Sequence, residues 1–196
     1  PYSLMKTNST KWQDLADNFY NAICEKNGNT EVMWVRDYVY PGQTHGFTKS
    51  CIPRNMNQDV ESSMMSVLLN LVEAYEPLST STPGVAAKFE TGNVQDPVFF
   101  DTPTELFTAR DPRLGGTVLY PGSFFNGMET ELQGGQLNKE NGAWTIKTST
   151  RGTQDSDGNV ITAISGPYEP RDDRQCNRTG FYIRKFLDTT PSAGTI

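Results

Sequence analysis

The sequence predicts one domain that mixes helices with short β-hairpins and long loops, and three observations predict it. Hydrophobic residues make up only 35% of the 196, while Gly (17) and Pro (12) punctuate the chain throughout, a balance that shortens elements and lengthens loops. Apolar residues return at helical spacing in two stretches, 11–26 and 67–75. Asn141-Gly142 and Asp157-Gly158 then mark hairpin turns in the second half.

Taken in order, Thr10 and Gln13 read as a capping box, in which hydroxyl and amide satisfy each other's backbone donors at a helix start. Trp12, Leu15, Phe19 and Ile23 follow at helical spacing, and Asn27-Gly28 supplies a left-handed stop, so a helix is expected over 11–26 with an apolar stripe that needs a partner. Residues 31–40 alternate β-branched and aromatic side chains, which predicts a strand broken by Pro41-Gly42. Residues 42–57 read as an extended loop. Val67, Leu68, Leu71, Val72 and Tyr75 restore the helical period before Pro77 ends it. Residues 79–100, mostly Ser, Thr, Pro, Gly and Asn, predict an irregular crossing. Pro103 suits the start of a short helix over 104–109, because its missing amide hydrogen is not needed there, and Asp111-Pro112 closes that helix. A strand is expected over 114–120, turning at Pro121-Gly122. Hairpins and loops fill 127–180, with Ile146, Val160 and Ile164 as strand anchors. No internal repeat is present.

The formal charge of −6 and pI near 4.8 argue against a general electrostatic grip on nucleic acid or on anionic lipid headgroups. No apolar stretch approaches the roughly 18 residues a spanning helix needs. Cys24, Cys51 and Cys176 form no metal-ligand spacing. Free, partly buried thiols are expected, with one disulfide as the alternative in an exported protein. A single histidine, His45, cannot build a multi-histidine metal site. The chain also lacks a nucleophile elbow, a P-loop and a dinucleotide-binding glycine fingerprint. Asp155-Ser156-Asp157-Gly158-Asn159 approaches a calcium loop, but its glycine falls too early and no glutamate closes it, so a solvated turn is expected. Glu129, Glu131, Asp172 and Asp173 could in principle supply a glycosidase acid and base, yet their spacing does not distinguish them from surface acids. No catalytic residue, metal or cofactor is assigned.

Sugar binding needs flat aromatic rings for the C–H faces of a pyranose and a few polar groups beside them for its hydroxyls. Loop-borne Tyr40, His45 and Phe47, with Gln43 and Arg54 as polar companions, and Trp144 in the hairpin region fit that requirement, with local packing as the competing reading. Trp12 and Trp34 fall on apolar faces of an expected helix and strand and are assigned to the core. Asn8-Ser9-Thr10 and Asn177-Arg178-Thr179 match the glycosylation pattern, which a bacterial source would make accidental.

Three segments, in this order, resemble the SusD/RagB family of outer-membrane nutrient-binding lipoproteins of Bacteroidetes. Asn70-Leu71-Val72-Glu73-Ala74-Tyr75-Glu76 is similar to the family's Asn-Leu-Val-Asp-Ala-Tyr-Glu helix. Asp111-Pro112-Arg113-Leu114 and Thr179-Gly180-Phe181-Tyr182-Ile183-Arg184-Lys185-Phe186-Leu187-Asp188 follow it. Glu31-Val32-Met33-Trp34-Val35 resembles the family's apolar strand, so the likeness runs over about 11–188. One departure is Ser62-Ser63-Met64-Met65-Ser66, where relatives often carry a Pro-Thr helix start, and it leaves the edge of that helix open.

The resemblance implies a mainly α, tetratricopeptide-type fold in which another helix covers the stripe of the first one. In it, this chain contributes helices, short hairpins and long loops to the ligand-facing side. It implies non-catalytic capture of an oligosaccharide or polysaccharide at the bacterial cell surface, without a cofactor. Uptake would run through a SusC-like TonB-dependent outer-membrane transporter, with membrane contact only through a lipid anchor outside this sequence. Because family members are much longer, residues 1–196 are expected to be an internal portion lacking the N-terminal signal and repeat helices and the C-terminal repeat helices. The motif segments read as structural: Pro112 fixes a turn, Asp111 and Arg113 pair or cap backbone, and Arg184 and Lys185 face solvent or acidic loops. Peptide capture, a mainly transporter-docking role and a glycoside hydrolase piece stand as the alternatives.

Overall fold

The structure, a computed structural model, describes residues 2–25, 27–36, 38, 42–56, 62–79, 84–166 and 177–189. Its helices are α1 (Trp12–Cys24), α2 (Phe47–Cys51), α3 (Leu69–Glu73), α4 (Glu105–Thr108) and α5 (Arg113–Thr117), with a single 3₁₀ turn at Arg54–Met56. The strands are β1 (Val118–Leu119), β2 (Phe124–Phe125), β3 (Met128–Glu129), β4 (Gln136–Glu140), β5 (Ala143–Lys147), β6 (Thr153–Gln154), β7 (Val160–Thr162) and β8 (Tyr182–Ile183). The mixture of helices, short antiparallel pairs and long loops is the expected one. Helix does not dominate it, since only α1 runs beyond five residues among the described elements.

α1 forms where the spacing of Trp12, Phe19 and Ile23 places it, but its start differs from the expected capping box. Lys11 is the N-cap and has no side-chain cap bond; the Ser9 hydroxyl instead accepts the Lys11 N–H at 3.1 Å, and Gln13 donates sideways to Asp17 at 3.0 Å. The end is held by Asn29, whose amide donates to the Ala22 and Glu25 carbonyls at 3.0 and 3.2 Å, while Gly28 turns the chain at φ +76°.

The stripe of α1 finds its helical partner in α5. Gly115 and Gly116 allow the approach: a Cβ on Gly115 would lie 2.5 Å from the Trp12 ring, and one on Gly116 would lie 2.7 Å from the Ala16 carbonyl oxygen. The expected strand over 114–120 therefore begins as a helix. Pro112, at φ −58°, is already helical, and Asp111 accepts the Arg113 N–H through its side chain at 2.8 Å and the Leu114 N–H through its carbonyl at 3.0 Å. Only Val118 and Leu119 extend.

β1 pairs antiparallel with β8, Val118 opposite Ile183 and Leu119 opposite Tyr182. Because successive strand side chains point to opposite faces, this ribbon separates two apolar clusters. One holds Tyr20, Cys51, Ile52, Leu119, Phe125, Leu132, Tyr182 and Leu187. The other holds Val67, Val72, Phe107, Leu114, Val118, Tyr120 and Phe181. The motif segments around Asp111 and Tyr182 are thus one structural unit. Arg184 is buried within it rather than solvent-facing: its guanidinium donates to the Gly115 carbonyl at 2.8 Å and to Asp17 at 2.6 Å, and lies 4.7 Å over the Tyr20 ring. Trp12 joins the second cluster, as expected, and its indole N–H donates to the Arg110 carbonyl.

Other elements depart from expectation for identifiable reasons. Residues 31–36 form no strand, since among the described residues no strand pairs with them, and Trp34, assigned to the core, is 87% exposed. The loop expected over 42–57 contains α2 and the 3₁₀ turn. The helix expected over 67–75 shrinks to α3. Val67 is drawn away by a 3.1 Å bond to the Phe181 carbonyl, and Leu68, Leu69 and Leu71 point to solvent. Arg110 secures its end by donating to the Glu73, Tyr75 and Ala87 carbonyls at 3.2, 2.8 and 2.8 Å. Residues 84–100 are irregular and α4 follows, both as expected. Ile164 falls beyond β7 rather than in a strand. Cys24 and Cys51 are free thiols, and Cys176 lies outside the described residues. Among the described residues no helix is long and apolar enough to cross a membrane.

Candidate ligand-binding surface

The β4–β5 hairpin is closed by Asn141 and Gly142 at φ +51° and +85°, the pair of positive angles that a two-residue turn of the right twist requires. Register then sorts its side chains. Lys139 opposes Trp144 and Leu137 opposes Ile146, so these four share one face, while Gln136, Asn138, Thr145 and Lys147 share the other.

On the first face Trp144 is half-buried against Phe99, ring centroids 5.5 Å apart. The Lys139 ammonium stands over the Trp144 ring, 5.2 Å from its centroid, and Gln95 donates to the Trp144 carbonyl at 3.5 Å. Phe99 is 67% exposed and Ile146 54%. Phe99 is delivered by a tight turn: Asn93 and Asp96 exchange backbone bonds at 3.1 Å, and the Asn93 side chain accepts the Gln95 N–H at 2.9 Å. Gly92 sits there at φ +68°, where a Cβ would lie 2.1 Å from the Asp96 carbonyl oxygen. The result is a tilted aromatic pair, Phe99 open to solvent and Trp144 half-buried, with the Lys139 ammonium over the Trp144 ring and the Gln95 amide beside it.

The other expected ligand residues divide. His45 and Phe47 do meet: His45 Nδ1 accepts the Phe47 N–H at 3.2 Å, and the rings lie 6.4 Å apart. Tyr38, which the sequence reading passed over, closes on His45 edge-to-face at 4.7 Å. Phe47, partly buried, also packs against the first apolar cluster. Gln43 is exposed, Arg54 is half-buried at the start of the 3₁₀ turn, and Tyr40 lies outside the described residues. Phe99 also escaped the sequence reading. The run Val98-Phe99-Phe100 in an otherwise polar crossing was the signal for it.

No family profile, curated protein or solved structure matches the chain. Function must therefore be read from the site's own chemistry.

The calcium-like loop folds as a turn around Asp155, whose Oδ1 accepts the Asp157 and Asn159 N–H groups at 2.9 and 2.8 Å. Hydrogen bonds from Gln136 and then Asn159 hold the Asp155 carboxyl down at about 2, from an ordinary 3.8. Among the described residues no three of His, Cys, Asp and Glu come together as a metal site. Glu129 and Glu131 are exposed, and Asp172 and Asp173 lie outside the described residues. Buried titratable groups serve the fold. Burial pushes the Tyr20 hydroxyl well above its ordinary value and that of Tyr120 up to about 12, and Tyr20 donates to the Leu187 carbonyl. For Asp111, burial works against ionisation, but the hydrogen bonds and charge of Arg113 outweigh it and hold the carboxyl below its ordinary value. Asn177 of the second glycosylation pattern is fully buried and donates to the Phe181 carbonyl at 2.9 Å, so its amide is inaccessible as an acceptor of glycan.

Proposed function

We propose that this protein is a SusD/RagB-like nutrient-binding lipoprotein of the bacterial outer membrane. It captures oligosaccharides at the cell surface without catalysis and passes them to a SusC-like TonB-dependent transporter. The observation that carries the capture part is the Phe99–Trp144 pair, with Phe99 open to solvent, the Lys139 ammonium over the Trp144 ring and the Gln95 amide beside it. Pyranose C–H faces stack on such rings while the edge groups meet hydroxyls. The family part is supported by the way the motif segments interlock through β1, β8 and Arg184, which makes their joint occurrence one structural requirement rather than two coincidences.

A mainly docking role is the second reading. Met33, Trp34 and Val35 form a separate exposed apolar run that suits a protein partner better than a sugar. Affinity electrophoresis against soluble plant, host and microbial polysaccharides tests the two. Retardation by one glycan class, lost in Trp144→Ala and kept in Trp34→Ala, is the expected result. No retardation by any glycan, with co-purification of a transporter lost in Trp34→Ala, would replace capture with docking. A peptide panel run in parallel reports peptide capture.

A further inference from the structure

The β4 side of the β4–β5 hairpin borders a second concavity. Gln133, Gln136, Leu137, Asn138, Asp155 and Asn159 line an open groove of about 550 Å³, within the roughly 300–1,000 Å³ of small-ligand sites. Its side-chain amides are oriented by the fold. Gln136 Nε2 donates to Asp155 at 3.0 Å and to the Val160 carbonyl at 3.2 Å. Gln133 Nε2 donates to the Val160 and Ile161 carbonyls, and Asn159 Nδ2 to Asp155 at 3.1 Å. With their donors committed to the protein, Gln133, Gln136 and Asn159 keep carbonyl oxygens that no described residue bonds. The Asn138 side chain is wholly uncommitted. The lining is thus rich in acceptors and carries the anionic Asp155, a set that suits several O–H donors and repels carboxylates.

We infer that this groove is a second, non-stacking subsite for a neutral sugar unit, held through its hydroxyls by Gln133, Gln136, Asn138 and Asn159 along β4. The ligand class rests on the glycan reading above; the groove itself does not depend on the aromatic platform.

Side-chain amide NMR on the full chain tests it, titrating neutral methyl glycosides and, separately, calcium chloride. The expected result is glycoside-dependent shifts of the Asn138, Gln136 and Asn159 amides that persist in Trp144→Ala. In Asn138→Leu, which removes no bond of the fold, affinity at the groove should fall about fivefold, the loss of one hydrogen bond. Shifts confined to the Trp144 indole, with the groove amides silent, overturn the groove and leave the platform standing. Groove shifts with a silent Trp144 support the groove and overturn the platform. Silence at both overturns both. Amides that answer calcium and ignore glycosides replace the sugar subsite with a cation site.

Discussion

Leu114, Val118, Leu119 and Tyr182, at the junction of α5, β1 and β8, are almost wholly buried, whereas no residue of β4 or β5 is buried and Phe99 beside them stands out in solvent. The junction carries the chain's strongest sequence signature and cannot touch a ligand. The hairpin carries little signature beyond its Asn-Gly turn, yet it presents rings and polar groups outward. The lesson is that the junction segments that carry the family resemblance hold the chain together, whereas exposed apolar side chains such as Phe99 and Ile146 lie elsewhere.

The sharpest way to break that contrast is Leu114→Ala. Removing a fully buried leucine is expected to cost about 3 kcal/mol in urea denaturation. A loss below about 1 kcal/mol would mean that the junction is not the core. Gly116→Ala comes next. Its new methyl would meet the Ala16 carbonyl at 2.7 Å and the Phe19 ring at 2.8 Å, so overpacking should outweigh the gain in helix propensity and cost about 1–2 kcal/mol. On the hairpin the order reverses. Trp144→Ala should change stability by only about 1 kcal/mol while lowering glycan affinity at least about tenfold. A mutant that unfolds, or binds normally, would erase the distinction between the regions.

The smallest effect concerns pH. The folded-state pKa of Asp155 lies near 2, below the 3.8 of the free side chain. The depressed value means that the turn gains its contribution above about pH 4 and loses it as pH falls through about 2. A carboxyl titration followed by NMR should show that low midpoint, with the Asp157 and Asn159 amides moving together. A midpoint near 3.8 would show that Gln136 and Asn159 do not hold the carboxylate.

What the sequence reveals follows the same division. The helical period of Trp12, Phe19 and Ile23 locates α1, and Asn141-Gly142 locates the hairpin, because both depend on local chemistry. Asn126-Gly127 closes β2–β3 by the same signal and was there to be read. Long-range partners are another matter. Alternation over 31–36 implies a strand only if another strand is available, and α3 is short because Val67 is claimed by Phe181, far along the chain. Gly115 and Gly116 read as a weak helix until Trp12 and Ala16 are seen against them. Of the expected ligand residues, Trp144 lies at an open site, but its companion Phe99 comes from a crossing with no periodic signal. Phe47 shows the opposite case: an aromatic expected in a loop that starts α2 and packs partly buried against the first cluster.

The central claim, that glycan is captured on the Trp144 platform, is most directly tested by fluorescence. With Trp12 and Trp34 both changed to Phe, Trp144 is the sole tryptophan and reports its own surface. Titration with the glycan class that retards the protein should shift and quench its emission saturably, and Phe99→Ala should weaken the response. An emission spectrum unchanged at glycan concentrations that saturate binding would place capture elsewhere and contradict the account.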